Sequence, residues 1–398
     1  MLRRISISSV LCVVCILLAM HEPRYIHDCV PLGHVLFKVT RTAAVILVIG
    51  KFLLDGDCRL NGMLKCFFAF FIWVMADCWV LHPPSDVVPM IMTLMNAVAS
   101  LLLVEIFIKR RQGEFIMGAF VAYSIWVGAN LMTMIRSPEG LYVAEGSMGI
   151  DITENWFLGF KNGLHEYCLM LSLFALFLPL RKAWRTLALA LSLGVFLATA
   201  AIGQSGTGLV CCGIFTLSVL GIGILKRIRL DARWVFPVYV LAFGLLMSLT
   251  NSDLIADFAE LLGKDVTFTG RTNIWEVTLG KIAECPVIGF GWIDPILRTE
   301  MVADAEGAVN AHNTILELLF TYGAIGLLLY GSGVVRALMR IGRNPDNRVA
   351  VGLFAVVICM MPITLVEAKI FNLHFFILYS LAWNNSYLKL SEAKEKET

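Results

Sequence analysis

AHNTILELLFTYGAIGLLLY, residues 311–330, decides what kind of protein this is. After His312, Asn313 and Glu317, the stretch runs to Tyr330 on apolar, aromatic and small residues without another charge. A helix of roughly 20 such residues, rising about 1.5 Å each, matches the ~30 Å hydrocarbon core of a bilayer. The rest of the chain has the same character: 58% of its 398 residues are hydrophobic and 16% are charged. Soluble domains carry about a quarter charged residues. The chain reads as an all-α polytopic membrane protein forming a single membrane domain over residues 1–398.

Apolar runs of sufficient length start near Ser6, Val35, Met63, Val88, Phe115, Gly163, Trp184, Gly206, Arg233, Thr314, Val349 and Ile370. They make about 12 transmembrane helices at the usual span length. MLRR before the first run resembles the start of a signal peptide, but LLAMHEP offers no small-residue cleavage site, so the first helix is expected to be retained. Lys and Arg gather in alternate connections, among them KRR at 109–111, Lys226 to Arg233 and Arg336 to Arg348. Cytoplasmic loops are enriched in these residues, so both termini are expected in the cytoplasm. Two connections, 135–162 and 251–312, are long, and both fall outside by that alternation. The second separates the ninth and tenth spans. Long loops on one side of a chain without a soluble domain mark that side as the place of function, which makes the active site extracytoplasmic.

Several familiar chemistries are excluded. No P-loop, H-E-x-x-H or G-x-S-x-G occurs, which argues against a nucleotide-driven pump or a membrane protease. The DGD at 55–57 lies in a short inner connection and reads as a polar turn. Of eleven cysteines, Cys12 and Cys15 lie inside the first helix as packing residues, while Cys29 and Cys285 both lie outside, where a disulfide between them is left open. No carboxylate or His/Cys cluster on the outer side has metal-ligand character. No metal or cofactor is expected, and no nucleic acid.

The outer loop 251–312 has internal order. SDLIADFAELLGK, from Ser252, places Leu254, Ile255, Phe258, Leu261 and Leu262 on one helical face and the acids on the other, as a helix lying along a membrane surface would. A second short helix is expected to begin after Gly270 and to end before Pro286. The GFG at 289–291 then permits a tight turn.

TGRTNIW (269–275), PVIGFGW (286–292) and AHNTILELLFTYGAIGLLLY (311–330) together resemble the signature of the O-antigen ligase and polysaccharide polymerase family: G-R-x-x-x-W, P-x-x-G-[YF]-G and H-N-[ST]-x-L, with glycines about ten residues on. GFKNGLHEY (159–167) resembles a family stretch before a span, and GQSGTGL (203–209) resembles an S-[RK]-[TG]-[AG] element. Here Gly206 stands where many members have a base.

The resemblance implies a metal-independent inverting glycosyltransferase of the bacterial inner membrane. Its donor is a glycan on undecaprenyl pyrophosphate, and its acceptor is a hydroxyl of a glycan or of a second lipid-linked glycan. As a polymerase it would build a capsular, exo- or O-antigen polysaccharide; as a ligase it would pass the glycan to lipid A-core. A lipid-linked glycan transporter is the more remote reading, since transporters place ionisable groups near the midplane. Membrane lipids are the surroundings, and a chain-length regulator or flippase is a further partner the reading allows.

The resemblance and the chemistry name the same residues. Breaking a glycosyl-pyrophosphate bond calls for cations on the leaving group and a base for the acceptor proton. His312 suits the base, because a free imidazole, with an ordinary pKa of about 6.5, is mostly neutral at pH 7. Arg271 suits the pyrophosphate, because its planar fork grips two oxygens and keeps its charge. The plainer alternatives are a helix-capping role for His312 and a loop ion pair for Arg271. Asn313 and Trp275 orient and pack the site; Ser205 and Thr207 come from the GQSGTGL element. Lys161 and Asn162 precede the sixth span. Lys161 competes with Lys38 and Arg41, which share a face of the second span, for the charge that Gly206 lacks. The alternative for Lys38 and Arg41 is snorkelling to headgroups. Glu317 either polarises His312, binds sugar hydroxyls or is structural.

Overall fold

The computed structural model describes residues 5–56, 59–81, 87–145, 151–225, 234–249, 268–293, 295–302, 310–343 and 347–388. The amphipathic helix expected from Ser252 lies outside the described residues. The helices, in chain order, are α1 (Ile7–Met20), α2 (Arg24–Cys29), α3 (Pro31–Leu54), α4 (Gly62–Ala76), α5 (Val88–Arg136), α6 (Lys161–Phe177), α7 (Lys182–Ile202), α8 (Gly206–Leu220), α9 (Ile222–Leu225), α10 (Val235–Leu249), α11 (Phe268–Glu284), α12 (Pro295–Met301), α13 (Thr314–Leu338), α14 (Asn347–Val366) and α15 (Leu373–Trp383). Among the described residues, 6 helices are long and apolar enough to cross a membrane, with shorter apolar helices such as Ile7–Met20 and Gly206–Leu220 beside them. The chain is a multi-pass membrane protein.

Asparagine and serine start several helices. Asn61 accepts from Leu64 N at 2.9 Å, Ser205 Oγ from Gly208 N at 3.2 Å, and Asn372 from His374 N at 3.0 Å. Each satisfies a first-turn N–H that has no partner within its own helix.

The 49-residue α5 covers two of the expected spans, and its backbone leaves the helical region at Arg111, φ −137°, ψ 42°. Helix α15 shows that the chain doubles back there. Near its end, Asn384 donates to Glu105 and Ser380 Oγ donates to Leu101 O at 3.0 Å. At its start, His374 shares a 2.7 Å hydrogen bond with Tyr123. In a straight helix Glu105 and Tyr123 would lie roughly 27 Å apart, whereas His374 and Asn384 lie only roughly 15 Å apart. Two antiparallel arms meeting at Arg111 satisfy both contacts, and they put KRR at the reversal. An aromatic cluster ties the bundle together: the Phe67 ring of α4 packs at 5.6 Å from Tyr330 of α13 and at 5.4 Å from Phe376 of α15.

The long connection 135–162 is not a plain loop. It folds into a 3-stranded antiparallel sheet of Tyr142–Glu145, Asp151–Trp156 and Gly159–Phe160, with Tyr142 opposite Asn155 and Trp156 opposite Gly159. Aromatic and β-branched residues in short runs favour this pairing over a structureless connection. Helix α11 begins at Phe268, earlier than the expected start after Gly270, since a glycine in the first turn costs a helix little there; its end before Pro286 agrees with the sequence. Cys29 and Cys285 are both free thiols.

Helix α13 is broken. Gly323 takes φ 61°, ψ −167°, so the hydrogen bonds that would cross it are not made within the helix. Residues 286–291 take them over. Phe290 N donates to Phe320 O at 2.9 Å and Gly291 N to Thr321 O at 2.7 Å, while Ala324 N donates to Pro286 O at 2.9 Å and Ile325 N to Val287 O at 3.2 Å. Tyr322 O accepts from Trp73 Nε1 at 3.1 Å. Without water to satisfy it, a broken backbone at membrane depth persists only where protein groups replace the missing partners. The PVIGFG segment is such a splice, and the break brings Thr321 and Tyr322 to the wall of a cavity.

Candidate functional site

The turn between α14 and α15, residues 367–372, is the meeting point. Thr314 Oγ1, in the first turn of α13, donates to Glu367 O at 2.9 Å and accepts from Lys369 N at 3.1 Å. Asn313 caps the same helix, accepting from Ile315 N at 2.9 Å and Leu316 N at 3.0 Å, and its Nδ2 donates to Leu365 O at 3.1 Å. Trp275, fully buried in α11, donates from Nε1 to Ala311 O at 2.9 Å. These contacts fix where the residue between them, His312, must lie.

His312 has φ +43°; with Gln204, φ +49°, it is one of two non-glycine residues among those described with a positive φ. Such a backbone is uncommon outside glycine and persists where its surroundings hold it, often at functional sites. Its Nδ1 faces Glu367 Oε2 at 3.7 Å, an ion-pair distance longer than a hydrogen bond, which leaves Nε2 pointing away from that carboxylate. Glu367 Oε1 accepts from Asn162 Nδ2 at 3.2 Å and from Arg271 Nη2 at 3.4 Å. One carboxylate thus gathers the start of α6, helix α11 and the residue before the α13 cap.

Charges surround that carboxylate. Burial would push the Glu367 carboxyl up, but the His312 imidazole, Lys369 and Arg271 outweigh it and hold it below the usual carboxylate range. Burial draws the Arg271 guanidinium down, with Glu367 opposing. For Lys369, burial also favours the neutral form, yet Glu166 at 2.7 Å and Glu367 outweigh it and raise the ammonium. Lys161 donates to Glu154 Oε1 at 3.0 Å, which lowers that carboxyl.

The depressed Glu367 value has a consequence for stability. Its contribution is complete above the ordinary carboxylate value of 4.5 and is lost as pH falls through the lower folded value. Glu367→Gln should therefore melt below wild type by a constant gap from about pH 8 to about pH 5, a gap that narrows on further acidification. Thermal unfolding of the two purified proteins across pH reads this out, and a gap that widens with acid contradicts it.

The remaining sequence candidates divide. Ser205 is buried as the α8 cap and Thr207 is half-buried in the first turn; Gly203, in the same α7–α8 turn, lies against Lys161, where an added Cβ would sit 3.6 Å from that side chain's Cβ. The GQSGTGL turn and Lys161 are therefore neighbours. Arg41 instead pairs with Glu22 at 3.5 Å, where Glu22 also meets His34 at 2.7 Å, and Lys38 is exposed. Glu317 does not meet His312. It forms a two-pronged pair with Arg298 at 2.6 and 2.7 Å and accepts from Ala311 N at 2.8 Å.

Sequence reasoning missed Glu367, Lys369 and Arg298. The first two stand in VEAKIFN (366–372), a short turn between two apolar runs where charged residues are out of place. That anomaly was the available signal.

Residues 187–331 match the family described as O-antigen ligase. The segment runs from within α7 to within α13, so it holds Ser205, Thr207, Arg271, Trp275, His312 and Asn313. Over 110 residues the chain is 27% identical to the exopolysaccharide production protein ExoQ of Rhizobium meliloti (strain 1021). That stretch covers 24% of this chain and 25% of the relative, so the chain matches about a quarter of that protein's length. The multi-pass helical bundle is thus similar to the O-antigen ligase family over residues 187–331, and this segment holds the G-R-x-x-x-W, P-x-x-G-F-G and H-N-T motifs.

Proposed function

We propose that the chain is a membrane glycosyltransferase that moves a glycan from undecaprenyl pyrophosphate to an acceptor hydroxyl, as a polymerase of surface polysaccharide. The observation that carries this reading is the single carboxylate of Glu367, which gathers His312, Arg271 and Asn162 from separate elements. Glu367 lies at ion-pair distance on the Nδ1 side, where it stabilises the imidazolium that forms, and leaves Nε2 to take the acceptor proton. The acceptor oxygen forms its bond to the anomeric carbon from the face opposite the pyrophosphate. The bond between that carbon and the phosphate oxygen breaks, the electron pair leaves with the lipid pyrophosphate, and the configuration inverts. Arg271 and Lys161 hold the developing anion, the role a metal plays elsewhere.

On this reading there are about 12 spans with both termini cytoplasmic, as the basic residues suggest, and the site faces away from the cytoplasm. The domain consists of one membrane unit in which 251–312 carries the Arg and glycine motifs and 311–330 starts the tenth span. The relative's name, an exopolysaccharide production protein, favours chain growth over transfer to lipid A-core.

The test is conversion by purified protein of the lipid-linked glycan that accumulates when the gene is disrupted. Longer lipid-linked glycan and free undecaprenyl pyrophosphate are the expected products, and the rate should be unchanged in excess chelator. Loss of turnover restored by magnesium or manganese would overturn the metal-independent mechanism, and absence of any product would overturn the transferase.

A further inference from the structure

Beside the Glu367 group lies a cavity of about 480 Å³ whose wall the mechanism above does not use. Its aromatic side is Trp292 and Phe371, with ring centroids 5.9 Å apart. Its polar side is the Arg298–Glu317 pair, with Asn310 and Lys369. Arg298 is 6% exposed, lies 4.3 Å over the Phe320 ring and spends both terminal nitrogens on Glu317, while its buried Nε has no partner among the described residues.

The charges of the wall cancel. Glu317 neutralises Arg298 and Glu166 neutralises Lys369 at 2.7 Å, so the cavity has polar groups without a net charge to match an anion. An aromatic face opposite hydrogen-bonding groups, in a site with no net charge, suits a ring with an apolar face and hydroxyl edges. Position ties it to the chemistry: Asn310, on the wall, accepts from His312 N at 2.8 Å.

We propose that this cavity is a carbohydrate subsite that holds a neutral sugar of the acceptor glycan beside His312, with Trp292 as its stacking platform and Asn310 and Lys369 on its hydrogen-bonding side. The proposal rests on the transferase reading for the word acceptor, while the binding of sugar stands on the cavity alone.

The experiment is calorimetric titration of the purified full chain with two probes. One is the glycan released by mild acid from the accumulated lipid-linked material, which lacks pyrophosphate; the other is inorganic pyrophosphate. Trp292→Ala should weaken glycan binding roughly tenfold, the usual size of losing a buried aromatic anchor, and leave pyrophosphate binding unchanged. Trp292→Phe, which keeps a ring, should retain most of the affinity and guards against a folding defect. Arg271→Ala should do the reverse, weakening pyrophosphate alone. Equal glycan affinity in wild type and Trp292→Ala, competition between the two probes, or no glycan binding by wild type would each overturn the subsite. Glycan binding that depends on Trp292 in a protein that forms no product would keep the subsite and discard the transferase.

Discussion

His312→Ala is expected to lose most turnover, roughly 10²- to 10⁴-fold, the range that a general base contributes. The lipid-linked donor should still bind, because the cations remain. Arg271→Ala should reduce both donor affinity and turnover, by up to a comparable factor where the charge meets a developing anion. Arg271→Lys should recover only part, since an ammonium keeps the charge and loses the fork that meets two oxygens. These residues meet on Glu367, Nδ1 of His312 at 3.7 Å and Nη2 of Arg271 at 3.4 Å, so their losses should combine less than multiplicatively. Product formation by each purified variant, with donor affinity measured separately, decides the matter. Near wild-type turnover by His312→Ala would remove the base and leave the residue as a strained turn before the α13 cap.

Gly323→Ala and Gly289→Ala should prevent accumulation of folded protein. A Cβ on Gly323 would sit 2.2 Å from Val287 O, and one on Gly289 would sit 2.6 Å from Thr321 O. Both glycines have φ in the left-handed region, 61° and 78°, and both obstacles are backbone that the splice hydrogen bonds hold in place. Relief would require giving up those bonds at membrane depth, which implies a loss of ~3 kcal/mol or more when the strain is added. Gly194→Ala in α7, with nothing within 4 Å of the added methyl, is the control and should be neutral. Detergent-extracted yield and melting temperature of the variants are the readouts. A Gly323→Ala protein as abundant and stable as wild type would show that the splice contributes little.

Hydropathy alone determined the membrane class and the broad run of helical regions, because each depends on the composition of one local stretch. A cap at the start of α13 was legible for the same reason, but as an alternative role for His312, whereas it is Asn313 that accepts from the N–H groups of residues 315 and 316. The motif order also located His312 and Arg271 in one loop system. Residues 142–160 were harder to read, since short strands pair across a chain reversal instead of repeating a helical period.

Tertiary structure alone decided which acid meets His312. Glu317 is one turn away in sequence yet turns to Arg298, whereas Glu367, contributed by a different helix connection, faces the imidazole. It likewise decided that Arg41 meets Glu22, that Lys161 sits beside the GQSGTGL turn, and that the GFG glycines serve the broken α13 as well as a tight turn. The physical reason is the range of the forces. Periodicity and capping act within a few residues of one helix, but an ion pair or a backbone splice depends on the rotation and depth at which separate helices pack, and no single stretch of sequence encodes those.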